Sequence, residues 1–160
     1  MIRLGVTGHQ EVPSGVDRLL QAEIRGLVES RSPASGFIGV TSLAAGTDQL
    51  FADVILELGG SLHVVLPCLG YETTFSDSKT LDHFEDLLGH AEEVEKLTFP
   101  SPREEAFLAA GKRVVDLSDI LLAVWDGKPA RGLGGTADIV NYAGSVGRPI
   151  RVLWPTGASR

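Results

Sequence analysis

Glycines, a hydroxyl and a carboxylate stand together in Gly132-Leu133-Gly134-Gly135-Thr136-Ala137-Asp138. The run follows an apolar stretch that ends in Trp125-Asp126-Gly127 and precedes a segment, residues 139–146, that reads as a helix. Glycines let the backbone turn with its amide N–H groups outward, and a helix N-terminus adds partial positive charge. Strand, glycine turn and helix start therefore make an anion holder, with the amides of Gly134, Gly135 and Thr136 as the grip on a phosphate. Asp138 stands one turn inside that helix start, where a carboxylate complements the dipole or acts as a general base or hydroxyl contact. Asp126 is a second carboxylate at the same strand end, able to accept ribose hydroxyls or orient a water.

Two further turns offer matching groups. Thr7-Gly8-His9 closes the first apolar run; Gly8 makes the turn or meets a ligand, and His9 bonds a phosphate or ribose or caps the next turn. Ser42-Leu43-Ala44-Ala45-Gly46-Thr47-Asp48 follows the second run. There Thr41 and Ser42 suit helix capping as well as ligand contact, Gly46 permits close packing, and Asp48 caps a helix or takes a ribose hydroxyl. Trp125 is either core or a stacking face for a base. Tyr71, in a polar stretch without periodicity, reads as part of a lid over the site. Arg113, beside Lys112, is a cation for phosphate or one of a solvated pair. His63, His83 and His90 read as satisfied or solvated.

The elements that must position these groups alternate in type. Residues 3–7, 37–41, 62–66, 120–125 and 150–154 read as strands, with 94–99 as a short extra one. Helical spacing joins Leu20, Ile24 and Leu27, then Phe51, Val54 and Ile55, then residues 81–90, then Phe107, Ala110 and Val114 behind Pro102. Residues 70–80 read as a long loop. Strand–helix alternation predicts right-handed βαβ units, hence an α/β, Rossmann-like three-layer sandwich with a mostly parallel sheet of about five strands. All three turns then fall at the C-terminal ends of strands, where such sheets bind ligands. The opposite edge is plainer, with Arg3, Ser61 and Arg148.

Bulk properties set the frame. A chain of 160 residues with 43% apolar and 22% charged residues predicts one globular domain over residues 1–160. The net charge of −7 and the scattered basic residues predict no nucleic-acid partner. No apolar run of membrane-span length and no signal peptide stand out, and Cys68 is the single cysteine, so a reducing cytoplasm and no membrane association are expected. No metal site and no cofactor are expected: His-Glu-x-x-His is absent, as are the Walker lysine motif, Gly-x-Gly-x-x-Gly after the first strand and Gly-x-Ser-x-Gly.

Taken together, Gly5-Val6-Thr7-Gly8-His9, the stretch from Ser42 to Ala52 and Gly134-Gly135-Thr136-Ala137-Asp138 resemble the SLOG superfamily of Rossmann-like domains, named for Smf/DprA and Lonely-guy members. The resemblance spans nearly the whole chain and is similar to small single-domain members that begin with a Thr-Gly-His turn. It implies a nucleotide or nucleotide-derived ligand, and a homodimer, since such relatives are often dimers. Its Lonely-guy branch cuts the N-glycosidic bond of nucleoside monophosphates and carries Pro-Gly-Gly-x-Gly-Thr-x-x-Glu. Here the proline is missing, the glycine spacing is shorter, and Asp138 stands where the register differs from the glutamate. The expectation is therefore binding first. A nucleoside-5′-monophosphate glycosidase using Asp138, Asp126 and Arg113 is the alternative, and a non-catalytic homodimeric scaffold the third.

Overall fold

The computed structural model describes residues 1–31, 35–129 and 135–158. In chain order the elements are β1 (Ile2–Gly8), α1 (Val16–Glu29), β2 (Phe37–Thr41), α2 (Thr47–Glu57), β3 (Ser61–Cys68), a 3₁₀ turn (Tyr71–Thr74), α3 (Ser78–Gly89), β4 (Glu93–Phe99), α4 (Glu104–Leu117), β5 (Ile120–Val124), α5 (Thr136–Ser145) and β6 (Ile150–Leu153). The strands form one six-stranded sheet in the order β4-β3-β2-β1-β5-β6. Every adjacent pair is parallel.

Successive right-handed crossovers explain the layers. From β1 the chain steps outward through β2, β3 and β4, which leaves α1, α2 and α3 on one face. It then returns to β5 and β6 on the other side of β1, which puts α4 and α5 on the opposite face. Accordingly α1 packs on α2, α2 on α3, and α4 on α5. Leu4, Val6, Phe51 and Ile55 belong to one core layer. Val40, Val65, Ala110 and Val114 belong to the other, continued by Leu121 and Ile139. Burial on both faces is why β5 reads as an unbroken apolar run, Ile-Leu-Leu-Ala-Val, with every residue buried.

Two helices start earlier than the sequence-based expectation, and the extra strand read at 94–99 is present in full. Residues 93–99 form a full strand, registered on β3 from His63↔Glu93 to Cys68↔Phe99, so the sheet has six strands. As an edge strand it alternates polar and apolar residues and leaves Glu93, Val94, Lys96 and Thr98 exposed, which weakens its sequence signal. The supposed loop at 70–80 contains the 3₁₀ turn, and α3 begins at Ser78. The Asp77 carboxylate caps α3 by accepting the Thr80 N–H at 2.8 Å. Helix α5 begins at Thr136 with Gly135 as its N-cap; Gly132, Leu133 and Gly134 lie outside the described residues. Among the described residues, no helix is long and apolar enough to cross a membrane.

Candidate functional site

The strand order reverses at β1, between the β1–β2 and β1–β5 pairs. Helices α1 and α5, which follow β1 and β5, lie on opposite faces of the sheet, which opens a crevice there. A cleft of about 790 Å³ lies at this edge. Thr7, Gly8 and His9 line it from β1, Ser42 and Asp48 from the β2–α2 turn and helix, and Tyr71 from the segment after β3. Gly135 and Thr136 line it from the start of α5.

The first two turns are locked together through Thr47. Its backbone N–H and its Oγ1 both donate to the His9 carbonyl, at 3.2 and 2.8 Å. Gly8 allows this approach: a Cβ there would stand 2.4 Å from Thr47 Cγ2. Gly46 is required twice, by its φ of 83° and because a Cβ would stand 2.1 Å from the Gln10 carbonyl oxygen. Gly46 supports the wall from behind and is not among the lining residues. It is also the N-cap of α2, so neither Thr41 nor Ser42 caps that helix. Thr41 Oγ1 instead accepts the N–H of Leu43 at 3.1 Å, holding the fully buried Leu43 at φ 58°, a left-handed conformation that costs a branched side chain energy.

Asp48 sits at the back of that turn. Its Oδ2 accepts the Ala44 N–H at 3.2 Å. Burial pushes its carboxyl up from 3.8 to about 6, against the opposing hydrogen bonds of Ala44, Ser42 and Thr41. Tyr71 is 6% exposed and packs edge-on against Phe75 and Phe84, each at 5.6 Å between ring centroids. It is thus a packed wall of the cleft, not a lid. Burial first, and then the negative charge of Asp48, push its hydroxyl well above the usual phenol range.

At the switch point the β1 and β5 turns meet. His9 Nε2 lies 3.6 Å from Asp126 Oδ1, and the His9 ring stands edge-on to Trp154 at 5.6 Å. Asp126 Oδ1 also accepts the Lys128 N–H at 2.9 Å. Trp125 donates its Nε1–H to the Lys128 carbonyl at 2.9 Å, which ties the indole to its own turn. In α5 the helical spacing turns Gly135, Thr136 and Ile139 to the cleft. Asp138 lies in the first turn, its backbone N–H donating to the Gly135 carbonyl at 3.1 Å. None of Asp126, Trp125 and Asp138 is among the lining residues.

Arg113 lies elsewhere. Its Nε is 2.7 Å from Glu95 Oε1, on the side of α4 that faces β4. That contact holds the Glu95 carboxyl below its usual range and raises the guanidinium further. His63 is buried between Glu93 and Glu95, with Nδ1 3.2 Å and Nε2 3.5 Å from their carboxylates, and its Nε2 makes no hydrogen bond among the described residues. Sequence reading missed the contribution of α4: Glu104, Phe107 and Gly111 line the cleft at i, i+3 and i+7. The spacing was a signal of one helix face, but nothing in it separated a cleft face from a core face.

No family model matches the chain, and no curated protein matches it. Solved structures do. DNA processing protein A (DprA) from Streptococcus pneumoniae is 16% identical with a TM-score of 0.67, over 95% of this chain and 50% of that one. The chain thus spans about half the length of that relative. DprA from Helicobacter pylori, whose structure is described by its single-stranded DNA binding mode, is 16% identical with a TM-score of 0.68, over 99% of this chain and 68% of that one. The molybdenum cofactor carrier protein of Chlamydomonas reinhardtii is 18% identical with a TM-score of 0.53, over 96% of this chain and 78% of that one. These matches correct one expectation. Net charge led to no nucleic-acid partner, yet the same fold serves a protein that binds single-stranded DNA. The physical reason is that a local surface, not the net charge of a chain, sets the field a strand meets. What the chain shares with all of these structures is the fold, a Rossmann-like α/β sandwich.

Proposed function

We propose that this chain binds a nucleotide or nucleotide-derived ligand, a nucleoside monophosphate, an ADP-ribose or a similar molecule, in the cleft at the C-terminal edge of the sheet. The observation that carries this reading is the convergence of three turns on one cleft at the strand-order reversal: Thr7–His9, Ser42–Asp48 and Gly135–Thr136. The start of α5 supplies amide donors and the positive end of the helix dipole for a phosphate. Thr7 and Ser42 supply hydroxyls, and Asp48 supplies a carboxylate that can accept from a ribose. The glycosidase alternative placed its chemistry on Asp138, Asp126 and Arg113, and the lining of the cleft by other residues favours binding over it.

A titration calorimetry panel of the four common ribonucleoside monophosphates, ADP-ribose and a short single-stranded oligodeoxythymidylate tests the reading. Saturable one-to-one binding of at least one mononucleotide or of ADP-ribose is expected. Binding of none of these at millimolar concentration, or of the oligonucleotide alone, contradicts it. Because Arg113 is engaged by Glu95, Arg113→Met is expected to leave that affinity within twofold. The same substitution should lower stability in urea by no more than about 1 kcal/mol, as suits a half-exposed ion pair. A tenfold loss of affinity would instead place Arg113 on the phosphate.

A further inference from the structure

The side chains lining the cleft are unbalanced in charge. Glu11, Asp48 and Glu104 are acidic, and among the described residues no lysine or arginine lines it. Among the described residues, a ligand bearing only negative charge would meet three carboxylates and be held by backbone amides and neutral donors. Beside the carboxylates lies an aromatic compartment: Phe75 and Phe107 line the cleft, with ring centroids 5.6 and 6.3 Å from that of Tyr71. Glu104 is one helical turn before Phe107 on the same face of α4, so a carboxylate and a ring border the same space.

Tyr71 adds an independent sign of an occupant. Its side chain is more than nine-tenths buried, it lines the cleft, and among the described residues its hydroxyl has no hydrogen-bond partner, while the oxygen itself is not fully buried and so stays open to the cleft. A hydroxyl open at a cleft wall can both donate to and accept from a ligand group. Aromatic faces flanked by carboxylates attract cations, both through the ring quadrupole and through the charges beside it.

We infer that the compartment formed by Tyr71, Phe75, Phe107, Asp48 and Glu104 accepts a cationic heteroaromatic ring, so that the ligand is dipolar: phosphate toward Gly135 and Thr136, positive ring toward the carboxylates. This deepens the nucleotide reading and rests on it. Phosphate alone does not choose among nucleotides; the ring charge does, since the carboxylates attract a positive ring and gain nothing from a neutral one.

Three probes separate the two ideas: nicotinamide mononucleotide, with a positively charged ring; its dihydro form, with a neutral ring and the same phosphate; and 1-methylnicotinamide, a cation methylated on the ring nitrogen and without phosphate. The charged mononucleotide is expected to bind at least tenfold more tightly than the dihydro form by calorimetry. Glu104→Gln and Tyr71→Phe should each reduce that ratio by threefold or more. Equal binding of the two mononucleotides, or a preference for the dihydro form, overturns the cationic compartment and leaves the nucleotide reading standing. Binding of 1-methylnicotinamide alone, with shifts of the Tyr71 and Phe107 ring resonances, supports the compartment and overturns the nucleotide reading. No binding of any of the three overturns the compartment.

Discussion

Gly46→Ala is expected to lower the unfolding free energy by about 3 kcal/mol or more, the size seen when strain and a backbone clash add. Two independent costs meet at this residue. The backbone holds φ at 83° and ψ at −121°, a region open to glycine and strained for L side chains. The added Cβ would also stand 2.1 Å from the Gln10 oxygen and 2.6 Å from the Gln10 carbonyl carbon. Both are backbone atoms, so no rotamer change relieves the clash. The β1–α1 turn would have to move, and with it the His9 carbonyl that accepts both Thr47 bonds. Gly59→Ala is the control: its φ is 89° but nothing lies within 4 Å of its Cβ, so only the left-handed cost of about 1 to 2 kcal/mol applies. Urea denaturation compares the two. A loss at Gly46 no greater than at Gly59 would mean that the interlock of the two turns carries no energy.

Asp48→Asn is expected to stabilise the protein at pH 7.5 and to weaken ligand binding at least tenfold. The carboxyl titrates at 3.8 when free and at about 6 in the folded chain. Below pH 4 both states hold the proton, and the group costs nothing. Between pH 4 and 6 the unfolded state ionises while the folded state resists, so stability falls as pH rises. Above pH 6 the penalty is complete, on the order of 3 kcal/mol for a carboxyl raised from 3.8 to about 6. Asparagine carries no charge yet keeps an oxygen for the Ala44 N–H. The gain in urea stability should therefore be present at pH 7.5 and absent at pH 3.5. No gain at pH 7.5 would mean that the buried carboxylate is not held against its preference. A gain in stability joined to a loss of binding is the pattern of a residue kept for its function.

Much of this was legible in the residues. The strand–helix alternation and the apolar runs dictated a parallel sheet, because a strand buried on both faces has no polar alternation to hide. The three turns at strand ends followed from that topology, and the cleft lies where Thr7–His9, Ser42–Asp48 and Gly135–Thr136 meet. Edge strand β4 was faint because one side of an edge strand faces water. Helix α3 was placed late because its first turn, Ser78-Lys79-Thr80, is polar and apolar periodicity begins only at Leu81. Tyr71 read as a lid because nothing local announces the aromatic partners brought to it by α3 and α4. Arg113 reads as a phosphate cation or one of a solvated pair because its partner Glu95 comes from a strand distant in sequence. Tertiary placement decides such side chains, and a linear sequence carries little of it.

The most direct measurement is an amide chemical-shift titration of the isotopically labelled chain with AMP and with ADP-ribose. Shifts with at least one of them should concentrate at Thr7, Gly8, Ser42, Asp48, Gly135 and Thr136, the residues that line the cleft from all three turns. No shifts with either ligand at millimolar concentration, or shifts confined to the opposite sheet edge around Ser61 and Arg148, would contradict nucleotide binding at this site.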